Sequence, residues 1–336
     1  DSASPFFGFF DTIRLDPFTP EEEREILEVL AREADTSELA EYISAHDAIA
    51  KIRTITHLTG GSPRVWMTLG CALNATDFEN LSTLLLTRID AFTPYYQEQL
   101  AQLSPLQRLV MAELVAANRP LPVKDLAERV GSEQRTVAKV VSDLSERAWI
   151  KPVSTLFTDL LDQRRSYYDL ADPLARLVLQ LKESDTLALP STVNFLETWF
   201  GAEKPTAFSS FDLLAKVEDT LAAVASGDAE PVMALPSTVR EAIENKARDM
   251  EGISSLRLDF LEKASKGAGA LPPIDSAEWV TRAERLDHEL QSPQSRLALV
   301  RWLAASHRFD EAEAALGTIT SKKEALEGAE VLKSAR

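Results

Sequence analysis

Residues 104–153 read SPLQRLVMAELVAANRPLPVKDLAERVGSEQRTVAKVVSDLSERAWIKPV, and they decide how the rest of the chain is organised. Apolar residues recur at helical intervals over Leu106–Ala117, Val123–Val130 and Ser132–Ala148. The connections, Asn118–Pro122 and Gly131–Ser132, have the lengths of a helix-turn-helix, and Gly131 suits the turn between its second and third helices. Trp149–Val153 and Ser166–Leu170 then alternate as two strands around a polar tip containing Asp162, Arg164 and Arg165. Three helices followed by a hairpin predict a winged helix, and Asp172-Pro173-Leu174 opens a closing helix.

Working outward toward the C-terminus, residues 184–336 show only helical periodicity, interrupted at Gly201, Gly227, Gly252 and Pro272-Pro273. Leu-Pro-Ser-Thr-Val occurs at Leu189–Val193 and again at Leu235–Val239, an offset of 46 residues that suits a two-helix repeat. Ala298, Trp302 and Leu303, followed by Phe309 to Ala312 and Leu316, resemble one helix of a tetratricopeptide-type hairpin, its turn and its partner. The expected class is therefore mainly α: a small helical bundle, a winged helix-turn-helix and a TPR-like helical repeat region. Toward the N-terminus, Phe6–Leu15 reads as a lone strand, and Thr19-Pro20 followed by Glu21–Glu23 is a capped helix start whose acids face solvent. Amphipathic runs follow over Ser44–Leu58 and from Arg64 through Leu73, separated by Gly60-Gly61-Ser62-Pro63.

The 336 residues carry 36 Lys+Arg against 53 Asp+Glu, a formal net charge of −17. That balance opposes general binding to nucleic acid or to membrane surfaces, so a polyanion partner needs a local basic face. Residues 104–183, with 12 basic and 11 acidic groups, are the segment that escapes the acidity. The single Cys71 excludes an internal disulfide and a thiolate metal site, which favours a reducing, cytoplasmic setting. No apolar run has the length of a membrane span. Because the chain opens on Asp1 rather than Met, it is expected to be part of something longer.

His57-Leu58-Thr59-Gly60-Gly61-Ser62-Pro63-Arg64 resembles the helical lid of P-loop ATPases of the AAA+ and STAND class. Ile89–Gln97 with Leu103–Arg108, and Asp172–Arg176, are similar to the lead-in and exit of the winged helix in prokaryotic members. The resemblance covers residues 6–182. It implies that 1–15 is a remnant strand of the ATPase core, 16–92 a lid-like bundle, 93–183 the winged helix and 184–336 a repeat domain. It also implies that Gly61 and Pro63 pack near the adenine, and that Arg64 reaches the phosphates in a parent that uses ATP and magnesium. The chain itself contains no Gly-x-x-x-x-Gly-Lys-Ser/Thr and no apolar strand ending in an acid pair. It is therefore expected to need no cofactor and to catalyse nothing alone.

Site residues outside the lid are few. Arg135 and Lys139 on the third helix and Arg164 and Arg165 at the wing tip are the candidates for DNA contact. Glu133, Asp143 and Glu146 cancel the charge of Arg135, Lys139 and Arg147, so such contact is expected to be weak and salt-dependent. His46, His57, His288 and His307 form no metal-ligand spacing, and Cys71 lies on an apolar helix side. Tyr167 and Tyr168 should point to opposite faces of their strand. Two functions compete. One is a noncatalytic regulatory portion of a STAND-like ATPase whose repeats bind a protein partner or self-associate. The other is a winged-helix transcription regulator.

Overall fold

A computed structural model describes residues 17–33, 37–44, 46–70, 81–153, 166–183, 188–201, 208–247, 250–266 and 273–335. These are mainly helical, with one small three-stranded sheet. Cys71, Phe6–Leu15 and the wing tip with Arg164 and Arg165 lie outside the described residues.

The first segment holds α1 (Pro20–Glu33), α2 (Ser37–Ser44), α3 (His46–Thr59), α4 (Pro63–Gly70), α5 (Leu81–Arg88) and a 3-10 turn, Ile89–Phe92. Thr19 caps α1 reciprocally: its hydroxyl accepts the Glu22 N–H at 3.3 Å, and the Glu22 carboxylate accepts the Thr19 N–H at 2.8 Å. The solvated reading of the acidic start fails at Glu23. That residue shares a helix face with Leu27 and Ala31, is fully buried with them, and accepts a hydrogen bond from the Thr56 hydroxyl of α3.

The second segment comprises α6 (Thr93–Ala101), α7 (Pro105–Ala117), β1 (Leu121–Pro122), α8 (Val123–Val130), α9 (Gln134–Glu146), β2 (Ile150–Pro152), β3 (Tyr167–Leu170) and α10 (Pro173–Glu183). Ser104 and Gln107 form a capping box on α7, and Gly131, at φ +63°, turns the chain from α8 into α9. β3 is the central strand, antiparallel to both neighbours, with Leu121 opposite Tyr168 and Ile150 opposite Leu170. β1 comes from the stretch read in the sequence as a turn, because two residues are too few to show a period. Val110, Leu114, Leu126, Val137, Val141 and Leu144 close a core under the three helices. Tyr167 is buried and Tyr168 half-buried, as the alternation requires; Asp169 and Leu170 are both buried, so neither face of this strand end is wet.

The third segment holds α11 (Ala188–Phe200), α12 (Phe208–Ala225), a 3-10 turn (Glu230–Ala234), α13 (Ser237–Lys246), α14 (Met250–Ser265), α15 (Pro273–Leu290), α16 (Pro293–Ala305), α17 (Phe309–Leu316) and α18 (Lys322–Ala335). α16 is its hub, packed against α14, α15, α17 and α18. Trp302 of α16 stacks on Trp279 of α15 with ring centroids 5.1 Å apart, and its indole donates to the Leu261 carbonyl at 2.9 Å. Deep between α12, α14 and α15, Glu218 accepts two hydrogen bonds of 3.0 Å from Arg257.

The buried apolar side chains of the first and third segments form one continuous core that also takes in Tyr96 of α6 and Leu174, Ala175, Leu177 and Val178 of α10, while α7, α8, α9 and the sheet close on a second core that α10 reaches through Leu179. α3 is the reason: Ala48, Ile52, Ile55 and Leu58 are all buried, and the helix packs against α10, α11 and α13 as well as α1. The first segment is thus roofed by α10, α11 and α13 rather than closed on itself.

Candidate functional site

Three stretches read separately in the sequence meet at one place. α3 ends in Gly60 and Gly61, both left-handed at φ +68° and +69°. The Gly61 carbonyl accepts the Phe18 N–H at 3.1 Å, and a Cβ on Gly61 would lie 2.5 Å from the Phe18 carbonyl oxygen. A Cβ on Gly60 would press on the Pro173 ring at 3.2 Å. Glycine is therefore required here by backbone conformation and, at Gly61, by close approach as well. Pro63 then starts α4.

Opposite this turn, the Tyr96 hydroxyl of α6 donates to Asp172 Oδ2 at 2.7 Å, while Asp172 Oδ1 accepts the Leu174 N–H at 2.9 Å and starts α10. Burial, reinforced by the Asp172 charge, pushes the Tyr96 phenol well above its ordinary range, so it remains a donor. The turn, Tyr96 and the Asp172-Pro173 corner enclose a cavity of about 370 Å³. Gly61 and Pro63 line it. Arg64 does not: it is exposed, with its guanidinium 4.9 Å from the centre of the Tyr95 ring.

The lid resemblance implies ATP at this cavity. Tyr96, Pro63 and the glycine backbone offer surfaces suited to a flat base, but among the described residues no cation lines the space. The triphosphate and magnesium do not fit the residues present. Among the described residues no group of three or more His, Cys, Asp or Glu is placed to hold a metal.

Gly60 and Pro173 also form the wall of a second cavity, about 480 Å³, whose far side is α13 and β2. A buried ionic network lies beneath it. Asp169 of β3, 1% exposed, is held by Arg176 of α10 at 3.2 Å and by Arg240 of α13 at 3.1 Å. Arg240 also donates to Glu244 at 2.7 Å, and Glu241 pairs with Arg176 and with Lys151 of β2, each at 3.2 Å. Burial works to raise the Glu241 pKa, but Arg176, Lys151 and Arg240 outweigh it and hold it at about 2. Burial likewise opposes the Arg176 charge, yet Asp169 and Glu241 raise its pKa above the ordinary value. His57, next to the glycine turn, has its pKa lowered by burial and donates from Nε2 to the Thr238 carbonyl of α13 at 2.7 Å. Ser237 N–H reaches the Asn118 carbonyl at the end of α7 at 2.9 Å.

The sequence reading identified Gly61, Pro63 and the Asp172 corner but missed the α13 side. Arg240, Glu241 and Glu244 belong to no motif; the visible signal was Asp169, an acid set between Tyr168 and Leu170 in an otherwise apolar strand. Arg135 and Lys139 stand exposed on α9, away from this junction.

Comparisons of the chain with protein families, with curated proteins and with solved structures find no match. Among the described residues, no helix is long and apolar enough to cross a membrane.

Proposed function

We propose that the chain is the noncatalytic regulatory portion of a STAND-like ATPase, in which a lid-like bundle, a winged helix and a TPR-like sensor pass a change of state from one to the next. The phosphate loop and magnesium ligands belong to other residues of the parent, and this chain's part is mechanical. The observation that carries the reading is the convergence of all three segments on the Gly60–Pro173 contact, with Tyr96–Asp172 on one side and Asp169–Arg176–Arg240 on the other. A displacement of the glycine turn has rigid neighbours on both sides to push against. Support for the winged helix comes from the α7–α8–α9 packing, the Gly131 turn and the antiparallel sheet. Support for the repeats comes from the α16–α17 hairpin with Trp302 buried in it. The repeats would carry the contact with a protein partner or a second copy.

The test is hydrogen exchange on the native full-length protein in ATP and in ADP. The reading expects nucleotide-dependent exchange at residues 57–66, 169–178 and 237–246 as one set. A native protein without ATPase activity, or a response that stops at α4, would refute it.

A further inference from the structure

α9 packs mainly against α7, α8 and β2, burying Val137, Val141 and Leu144. Its opposite face is open: Gln134, Ala138 and Ser142 form one exposed row and Arg135 and Lys139 the next. Among the described residues, no element of the first segment or the third is seen to cover this stripe, and all five side chains are exposed. Arg135 and Lys139 make no ion pair among the described residues, a property they share with Arg108, Arg119 and Arg147 of the same segment, so both cations are free to meet a ligand.

The chemistry of the stripe selects the partner. Protein interfaces are centred on aromatic or aliphatic anchors that fill pockets. The large apolar side chains exposed among the described residues are Val29, Met67, Tyr95, Leu109 and Leu326, and none is on α9. The stripe instead carries Arg, Lys and Gln, the side chains that make bidentate contacts to guanine and adenine edges, beside Ala and Ser, which let the helix approach closely. α9 is also the second helix of a helix-turn-helix: Gly131 is left-handed, and the Ser132 N–H bonds back to the Ala127 carbonyl at 3.0 Å.

We propose that α9 reads duplex DNA in the major groove through Gln134, Arg135 and Lys139. The inference rests on α9 and its surroundings and stands whether or not the chain serves an ATPase. With a net charge of −17 and with Glu133, Asp143 and Glu146 near the helix ends, general phosphate attraction is small. Binding to unrelated duplexes is therefore weak, and selectivity rests on the base-edge contacts of these three side chains.

The experiment is selection by the full chain from a pool of duplexes with randomised centres at low ionic strength, followed by anisotropy titration of the enriched duplex and a scrambled one. One motif should enrich. Arg135→Ala, Lys139→Ala and Gln134→Ala should each weaken the enriched duplex about tenfold or more relative to the scrambled one. The melting temperature should stay unchanged, because all three side chains are exposed. A pool without enrichment, an enriched duplex indifferent to these substitutions, or equal binding of all duplexes would overturn the proposal.

Discussion

Arg240 and Asp169 lie 71 residues apart in the chain and meet at 3.1 Å, each almost completely buried. They join a strand of the sheeted segment to a helix of the third segment. The pair adds a specific ionic link beside α10, whose Leu174, Leu177 and Val178 already share an apolar core with Val239, Ala242 and Ile243 of α13. Removing one member leaves a buried charge with fewer partners, which typically costs about 3–5 kcal/mol. Arg240→Ala should therefore lower the urea midpoint strongly. Asp169→Asn combined with Arg240→Met should cost less than the two single losses added together. Strict additivity would mean that the two groups do not interact.

Glu23 gives the chain a pH response of unusual sign. Burial raises its pKa to about 7, with the Thr56 hydrogen bond opposing the shift. A folded-state pKa above the unfolded value means that its contribution is fully present below about pH 4.5 and is lost as pH rises through about 7. Glu23→Gln, neutral throughout, should raise the melting temperature at pH 8 relative to wild type and flatten its fall between pH 5 and 8. Equal slopes for the two proteins would remove Glu23 from the cause.

Two left-handed glycines separate backbone strain from collision. Gly131, at φ +63°, has open space where a Cβ would sit, whereas at Gly61 that Cβ would lie 2.5 Å from the Phe18 carbonyl oxygen. Gly131→Ala should cost about 1 kcal/mol, and Gly61→Ala should cost clearly more, because the α1 lead-in must also move. Chemical denaturation of both variants checks the order, and equal losses would mean that the Phe18 segment yields freely.

Local features were legible in the sequence because local residues cause them. Thr19-Pro20 starts α1, Ser104-Pro105 starts α7, and Gly131 divides α8 from α9, each through contacts within a few positions. The glycine turn and the Asp172 corner were visible too, as separate motifs. Their meeting was not, since the Gly60–Pro173 contact and the Tyr96–Asp172 hydrogen bond depend on how whole helices pack. The α13 side was illegible for the same reason: an Arg-Glu pair on a polar-looking helix reads as surface until Asp169 and Arg176 bury it. Glu23 was misread because three neighbouring acids mask the one that shares a face with Leu27.

The claim that matters most is that the three segments communicate through this junction. Hydrogen exchange by mass spectrometry on the wild-type chain and on Arg240→Met tests it directly. The expected result is faster exchange not only in α13 but also across Asp169–Arg176 and at the His57–Gly61 turn, which is tied to α13 through the Thr238 carbonyl. Faster exchange confined to residues 237–246, with the glycine turn and α10 unchanged, would contradict it.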